Sequence, residues 1–190
     1  MLNGVYANDI RFRVEEDLES RRHGGYIFKR VEAIRDVAVH EIGSGLAAEG
    51  DGWRVISDYV MHGDFPDARD FDWNCLGYRI EGSDDVVTIS GDTVPCSGII
   101  GLAREADLLV QCCTVAESAL ANPFSLYLTK SIFPSTAQAG QIAAGAGVKR
   151  MVLTHLGASI EQNSDAKILE EVRQHYKGEV LLGEDLLVIE

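Results

Sequence analysis

Three residues of this chain carry side chains suited to metal chemistry and stand where strands should end: His62, Asp92 and His155. The apolar run from Trp53 to Met61 stops at His62-Gly63, the β-branched run from Val86 to Ser90 breaks at Gly91-Asp92-Thr93, and the run from Val148 to Thr154 breaks at His155-Leu156-Gly157. Three strand ends thus deliver two imidazoles and a carboxylate, the donor types that a hydrolytic divalent metal takes. Three donors are fewer than such a site usually holds. Each residue also has an ordinary reading, as a turn histidine or a turn aspartate in a glycine-rich break.

The elements that must position them read as strands first and alternating units later. Strand signals cover Val37 to Ile42, Trp53 to Met61, Leu76 to Glu81 and Val86 to Ser90, with turns at Gly50-Asp51-Gly52 and Gly82-Ser83-Asp84-Asp85. This half is expected to be antiparallel. From Pro95 the pattern changes to a helix over Ser97 to Glu105, a strand over Asp107 to Cys113, a helix over Ser118 to Lys130, and a small-residue helix over Ala137 to Gly147 capped by Ser135-Thr136. Asp165 to Tyr176 places Ile168, Leu169, Val172 and Tyr176 on one helical face, and Gly178 ends it. Glu179 to Leu182 and Leu186 to Ile189 read as terminal strands. The order fits a layered α/β fold. Residues 1–35 stand apart as an atypical charged segment, with Glu15, Glu16, Asp17, Glu19, Arg21 and Arg22 close together.

At 190 residues and 46% apolar, the chain has the size of one domain with a sizeable core. Seventeen basic and thirty acidic residues give a net charge of −13. Such a surface repels phosphate backbones, and the basic pairs Arg21-Arg22 and Lys149-Arg150 are too small to overturn that. Cys75, Cys96, Cys112 and Cys113 form no CxxC pair, which argues against a structural zinc site and for reduced thiols in a cytoplasmic setting. Cys112-Cys113 lack a visible base or electropositive neighbour, so they read as core rather than as nucleophiles. No apolar run approaches the ~20 residues of a membrane span, and no signal peptide opens the sequence. Of the remaining histidines, His23 and His175 read as surface residues and His40 as a strand residue.

Several segments together resemble the metallo-β-lactamase superfamily, in its branch of tRNA 3′-processing ribonucleases and arylsulfatase-like enzymes. Val60-Met61-His62-Gly63 followed by Leu76-Gly77-Tyr78-Arg79-Ile80 is similar to that branch's His-Gly turn and next strand. Ile89-Ser90-Gly91-Asp92-Thr93 resembles its Gly-Asp-Thr motif, Ala106 to Val110 the following strand, and Ser135-Thr136-Ala137 with Val152-Leu153-Thr154-His155 its closing segment. Each is short, but their order and spacing agree. The resemblance implies an αββα sandwich that here lacks its N-terminal portion, a single partial domain over 1–190. It also implies two divalent ions, with zinc favoured and manganese or iron compatible with the same donors. His62 would hold one ion, His155 the other, and Asp92 would bridge both as the catalytic carboxylate. The family's His-x-His-x-Asp-His signature has no counterpart in this sequence, its histidine before Ser-Thr is Pro134, and its His-Glu pair is Gln111-Cys112.

The expected function is therefore a metal-dependent hydrolase of phosphodiester, sulfate or related esters, with little activity from this chain alone. The alternative is a non-catalytic half-domain acting as an interaction module. The acidity favours a small ester over tRNA as substrate, and the lack of a long apolar run argues against a membrane partner. A half-domain is expected to leave apolar sheet surface bare, so a homo-oligomer or a partner supplying the other half is expected as well.

Overall fold

A computed structural model describes residues 40–63 and 74–189, together with Arg22. The chain divides into two compact units, Met1–Ile42 and Gly43–Glu190. Apart from Arg22, the charged segment expected over 1–35 lies outside the described residues. So do residues 37–39 of the strand expected at Val37 to Ile42, and residues 40–42 form no strand.

Among the described residues, seven strands form one sheet in sequence order: β1 (Gly45–Gly50), β2 (Trp53–Val60), β3 (Cys75–Glu81), β4 (Val86–Ile89), β5 (Leu108–Cys112), β6 (Arg150–Thr154) and β7 (Glu179–Leu182). β1 to β4 pair antiparallel, as the tight turns at Gly50-Asp51-Gly52 and residues 82–85 require, and β4 to β7 pair parallel. The parallel half needs crossovers, and helices α1 (Ser97–Leu102), α2 (Pro123–Ser131), α3 (Thr136–Ala146), α4 (Ala158–Glu161) and α5 (Asp165–Arg173) lie in them. The fold is α/β, with helices over a mixed sheet, and no described helix is long and apolar enough to cross a membrane.

Register sorts the side chains. Thr88, Leu109, Met151 and Val180 are successive cross-strand partners and face the helices. Thr88 donates to Leu102 O of α1 at 3.1 Å, and Leu109, Met151 and Leu153 join Ile99, Ile142, Ile168 and Val172 in the core. The expected face of α5 holds, since Ile168, Val172 and Tyr176 are buried and Leu169 packs beside them. α3 begins with a full capping box: Ser135 Oγ accepts from Gln138 N–H, and the Gln138 side chain accepts from Ser135 N–H.

Three expectations need correction. The helix expected over Ser118 to Lys130 is a 3-10 turn at Glu117–Ala119 followed by α2, because Asn122 caps a new helix with Pro123 at its start. Leu186 to Ile189 forms no strand: Leu186 sits in a turn with φ 68° and is fully exposed. The sequence pattern also missed β1, which has no β-branched or aromatic residue, and α4, which is only four residues long. His40 lies outside any strand; it is exposed, as is His175, and His23 lies outside the described residues.

Candidate metal centre

The three candidate ligands leave the sheet through connections that the sequence fixes closely. Beyond β2, Met61 N–H donates to Thr93 Oγ1 at 3.1 Å and Val94 N–H donates to Met61 O at 2.9 Å, so the segment bearing His62 is stitched to the one bearing Asp92. Beyond β4, Gly91 turns with φ 60°, and a Cβ there would stand 2.8 Å from Leu76 O. Ser90 Oγ accepts from Cys112 N–H at 2.9 Å, which ties this turn to the end of β5. Beyond β6, His155 itself adopts φ 55°, a left-handed conformation uncommon outside glycine that turns the chain sharply at the strand end.

These connections bring all three side chains together. Asp92 Oδ2 lies 4.0 Å from His62 Nε2 and 3.6 Å from His155 Nε2. The side chains are 21%, 32% and 51% exposed for His62, Asp92 and His155, so the cluster opens to solvent. Both imidazoles are oriented through their other nitrogen. His62 Nδ1 is 2.8 Å from Ile132 O, and because a carbonyl only accepts, the ring proton is on Nδ1. Thr114 Oγ1 gives its proton to His155 O at 3.1 Å, and so accepts from His155 Nδ1–H at 3.4 Å. In the neutral rings the lone pair is then on Nε2, the nitrogen facing Asp92, as a metal-binding imidazole needs. Phe133 packs against both rings, with centroids 5.2 and 5.1 Å away.

This donor set fits a divalent metal in a shared role, with one carboxylate between two imidazoles. It does not amount to a closed shell: among the described residues, no three His, Cys, Asp or Glu are gathered to hold a single ion. Pro134 is fully buried beside the α3 cap. Gln111 is buried on the helix side of β5, its amide donating to Cys112 O at 3.0 Å while Oε1 has no protein partner. Cys112 and Cys113 are free and buried. Burial pushes the Cys112 thiol up to about 11 and the Cys113 thiol higher still, so neither is a nucleophile near neutral pH.

Sequence reasoning missed the supporting residues. Ile132 acts through its backbone carbonyl, which no side-chain pattern reports, and Thr114 and Phe133 meet the histidines only after distant strands pair. Glu171 on α5 was missed as well. It is buried and accepts from Glu117 N–H at 2.9 Å, Ser118 N–H at 3.1 Å and Thr136 Oγ1 at 2.6 Å. Burial pushes its carboxyl up, but these bonds outweigh burial and hold it below the ordinary 4.5.

No protein-family model matches the chain. Curated relatives do. The ribonuclease Z of Thermobifida fusca is 31% identical over 149 residues, covering 78% of this chain and 45% of the relative. That of Methanothermobacter thermautotrophicus is 28% identical over 194 residues, covering 82% and 61%. The chain spans about half the length of the curated relatives it matches. Among solved structures, the metallo-β-lactamase-fold protein YhfI of Bacillus subtilis aligns with TM-score 0.56 at 18% identity, covering 84% of this chain and 53% of that one. Human tRNase Z, short form, aligns with TM-score 0.53 at 22% identity, covering 76% and 44%. The mixed sheet, its helix layer and these likenesses agree: the chain belongs to the metallo-β-lactamase superfamily, in its ribonuclease Z branch, and corresponds to part of that family's domain.

Proposed function

We propose that this chain carries part of a hydrolytic metal centre acting on a phosphodiester, sulfate or related ester. The position of Asp92 supports the reading: one carboxylate oxygen faces the Nε2 atoms of His62 and His155 at 4.0 and 3.6 Å. His62 would hold one ion, His155 the other, and Asp92 both, with zinc the metal that two imidazoles and a carboxylate suit. Divalent metal held there would supply Lewis acidity, lowering the pKa of a bound water and steadying the leaving oxygen. Ile132 O and Thr114 Oγ1 keep each ring's proton on Nδ1, and Asp92 supplies the negative charge that holds cations close together.

The substrate class follows from Pro134, which stands where the family resemblance expects a histidine. Pro134 cannot protonate a departing oxygen, so the reading favours an ester whose leaving group departs unaided, such as an aryl ester. The net charge of −13 points the same way, to a small ester rather than tRNA. The reading keeps residues 1–190 as one partial domain with an atypical segment over 1–35, in a cytosolic setting that suits four reduced cysteines. Three donors among the described residues are fewer than two ions usually take, so the reading gives the rest to a partner, a second copy, or a longer gene product of which this chain is a piece.

Zinc titration by calorimetry, with turnover of bis-p-nitrophenyl phosphate, tests this on the chain beside Asp92→Ala. Weak zinc binding and slow turnover, both lost in the variant, are expected. Zinc binding unchanged in Asp92→Ala would refute the centre. The second reading, a non-catalytic interaction module, is favoured by the missing His-x-His-x-Asp-His signature; partner binding indifferent to both zinc and Asp92→Ala would support it.

A further inference from the structure

Phe133 stands between the two imidazoles. Its ring lies 5.2 Å from that of His62, tilted 53°, and 5.1 Å from that of His155, tilted 45°, both within the range of aromatic contact. The backbone around it has little freedom. Ile132 and Phe133 N–H both donate to Leu128 O, at 2.9 and 3.0 Å, closing the end of α2. Pro134 then restricts Phe133 to extended backbone angles, and Ser135 begins the capping box of α3. Two helix ends and a proline thus hold one aromatic ring in place.

We infer that Phe133 is a positioning residue, a wedge that sets the separation and tilt of His62 and His155 about Asp92, with Pro134 as its brace. The inference rests on the proposal that both histidines bind metal. The two rings follow β2 and β6, which are not neighbours in the sheet, so no direct pairing joins the two histidine segments. His62 has a second restraint in its 2.8 Å bond to Ile132 O, whereas the Nδ1 of His155, among the described residues, has the longer 3.4 Å contact with Thr114. Losing the wedge therefore disturbs His155 more than His62. The proline that removes a proton donor from this position serves here to stiffen the neighbouring ring.

The test uses the 190-residue chain with Phe133→Leu, Phe133→Tyr and Pro134→Ala, read in two ways. Cobalt titration gives affinity and the ligand-field spectrum, and long-range ¹H–¹⁵N correlation of the metal-free protein gives the tautomer of each imidazole. Phe133→Leu is expected to weaken cobalt binding about 10–100-fold, the range for groups supporting a ligand. It should leave His155 as a mixture of tautomers while His62 keeps its proton on Nδ1, and Phe133→Tyr should restore both signatures. Wild-type affinity and unchanged ring signals in Phe133→Leu would overturn the inference. If the wild type binds no cobalt, the metal reading fails, and the metal-free His155 signal alone decides the wedge. Should Phe133→Leu not fold, Pro134→Ala decides: mixed His155 tautomers support the wedge, and wild-type signals overturn it.

Discussion

Thr114 touches both ends of His155, its hydroxyl donating to the backbone carbonyl at 3.1 Å and lying 3.4 Å from Nδ1. One side chain thereby holds the left-handed turn at the end of β6 and the ring it presents. Thr114→Val keeps the shape and removes the hydroxyl. It should lower zinc affinity about tenfold and stability by about 1 kcal/mol, and Thr114→Ser should recover most of both. Calorimetric titration with thermal melting checks this; equal losses in the serine and valine variants would point away from the hydroxyl.

The same turn constrains Gly157. A Cβ there would meet Thr114 O at 2.4 Å, whereas one at Gly101 in α1 would meet open space. Gly157→Ala should therefore destabilise by about 1–3 kcal/mol as the backbone moves aside. Gly101→Ala should be neutral or stabilising by up to about 1 kcal/mol, since alanine favours a helix. Parallel thermal melts of the two variants make the comparison, and similar melting temperatures would contradict it.

Glu171 should give stability a pH dependence. Its carboxyl is held below the ordinary 4.5 in the folded chain, so its contribution is complete above that value and lost as pH falls through the lower folded value. Glu171→Gln should cost about 1–3 kcal/mol at pH 7, because bonds to a charged acceptor weaken. Urea unfolding at pH 7 and pH 4 should show the gap between wild type and variant narrowing in acid. A gap that widens in acid has the wrong sign for this account.

The sheet face opposite the helices should drive association. Register places Val55, Ile80 and Val87 in one cross-strand row and Tyr78 beside Ile89 in another, and Trp53 and Tyr59 alternate onto the same side. Trp53, Tyr59 and Ile89 are 47%, 47% and 40% exposed. Light scattering should report oligomers at tens of micromolar, and Ile89→Lys should shift them toward monomer. A stable wild-type monomer with a cooperative melt would count against a covered face.

How far the sequence was legible depended on the range of the interaction. β-branched runs and glycine breaks located β2 to β6 and α3, because strand alternation and helix caps are local. The convergence of His62, Asp92 and His155 was also legible, since all three were read as strand ends belonging to one family pattern. β1 was hidden because Gly45 to Gly50 holds no β-branched or aromatic residue, and α2 was blurred because Pro123 read as interior rather than as a new start. The supports of the site were hidden for a different reason: Ile132 contributes a carbonyl, and Glu171 reads as one more surface acid until Thr136 and the 117–118 amides close around it.

The residues tied together at the centre lie far apart along the chain, with His62 bonded 70 positions away at Ile132 and Thr114 meeting His155 41 positions on. Loops of that length close slowly, and their closure entropy is recovered only once the strands between them have paired. The parallel half of the sheet must therefore assemble before the cluster exists at all. Any early, partly folded species would hold its helices and hairpins yet present scattered imidazoles, so the meeting of His62, Asp92 and His155 arrives as one of the last events of folding.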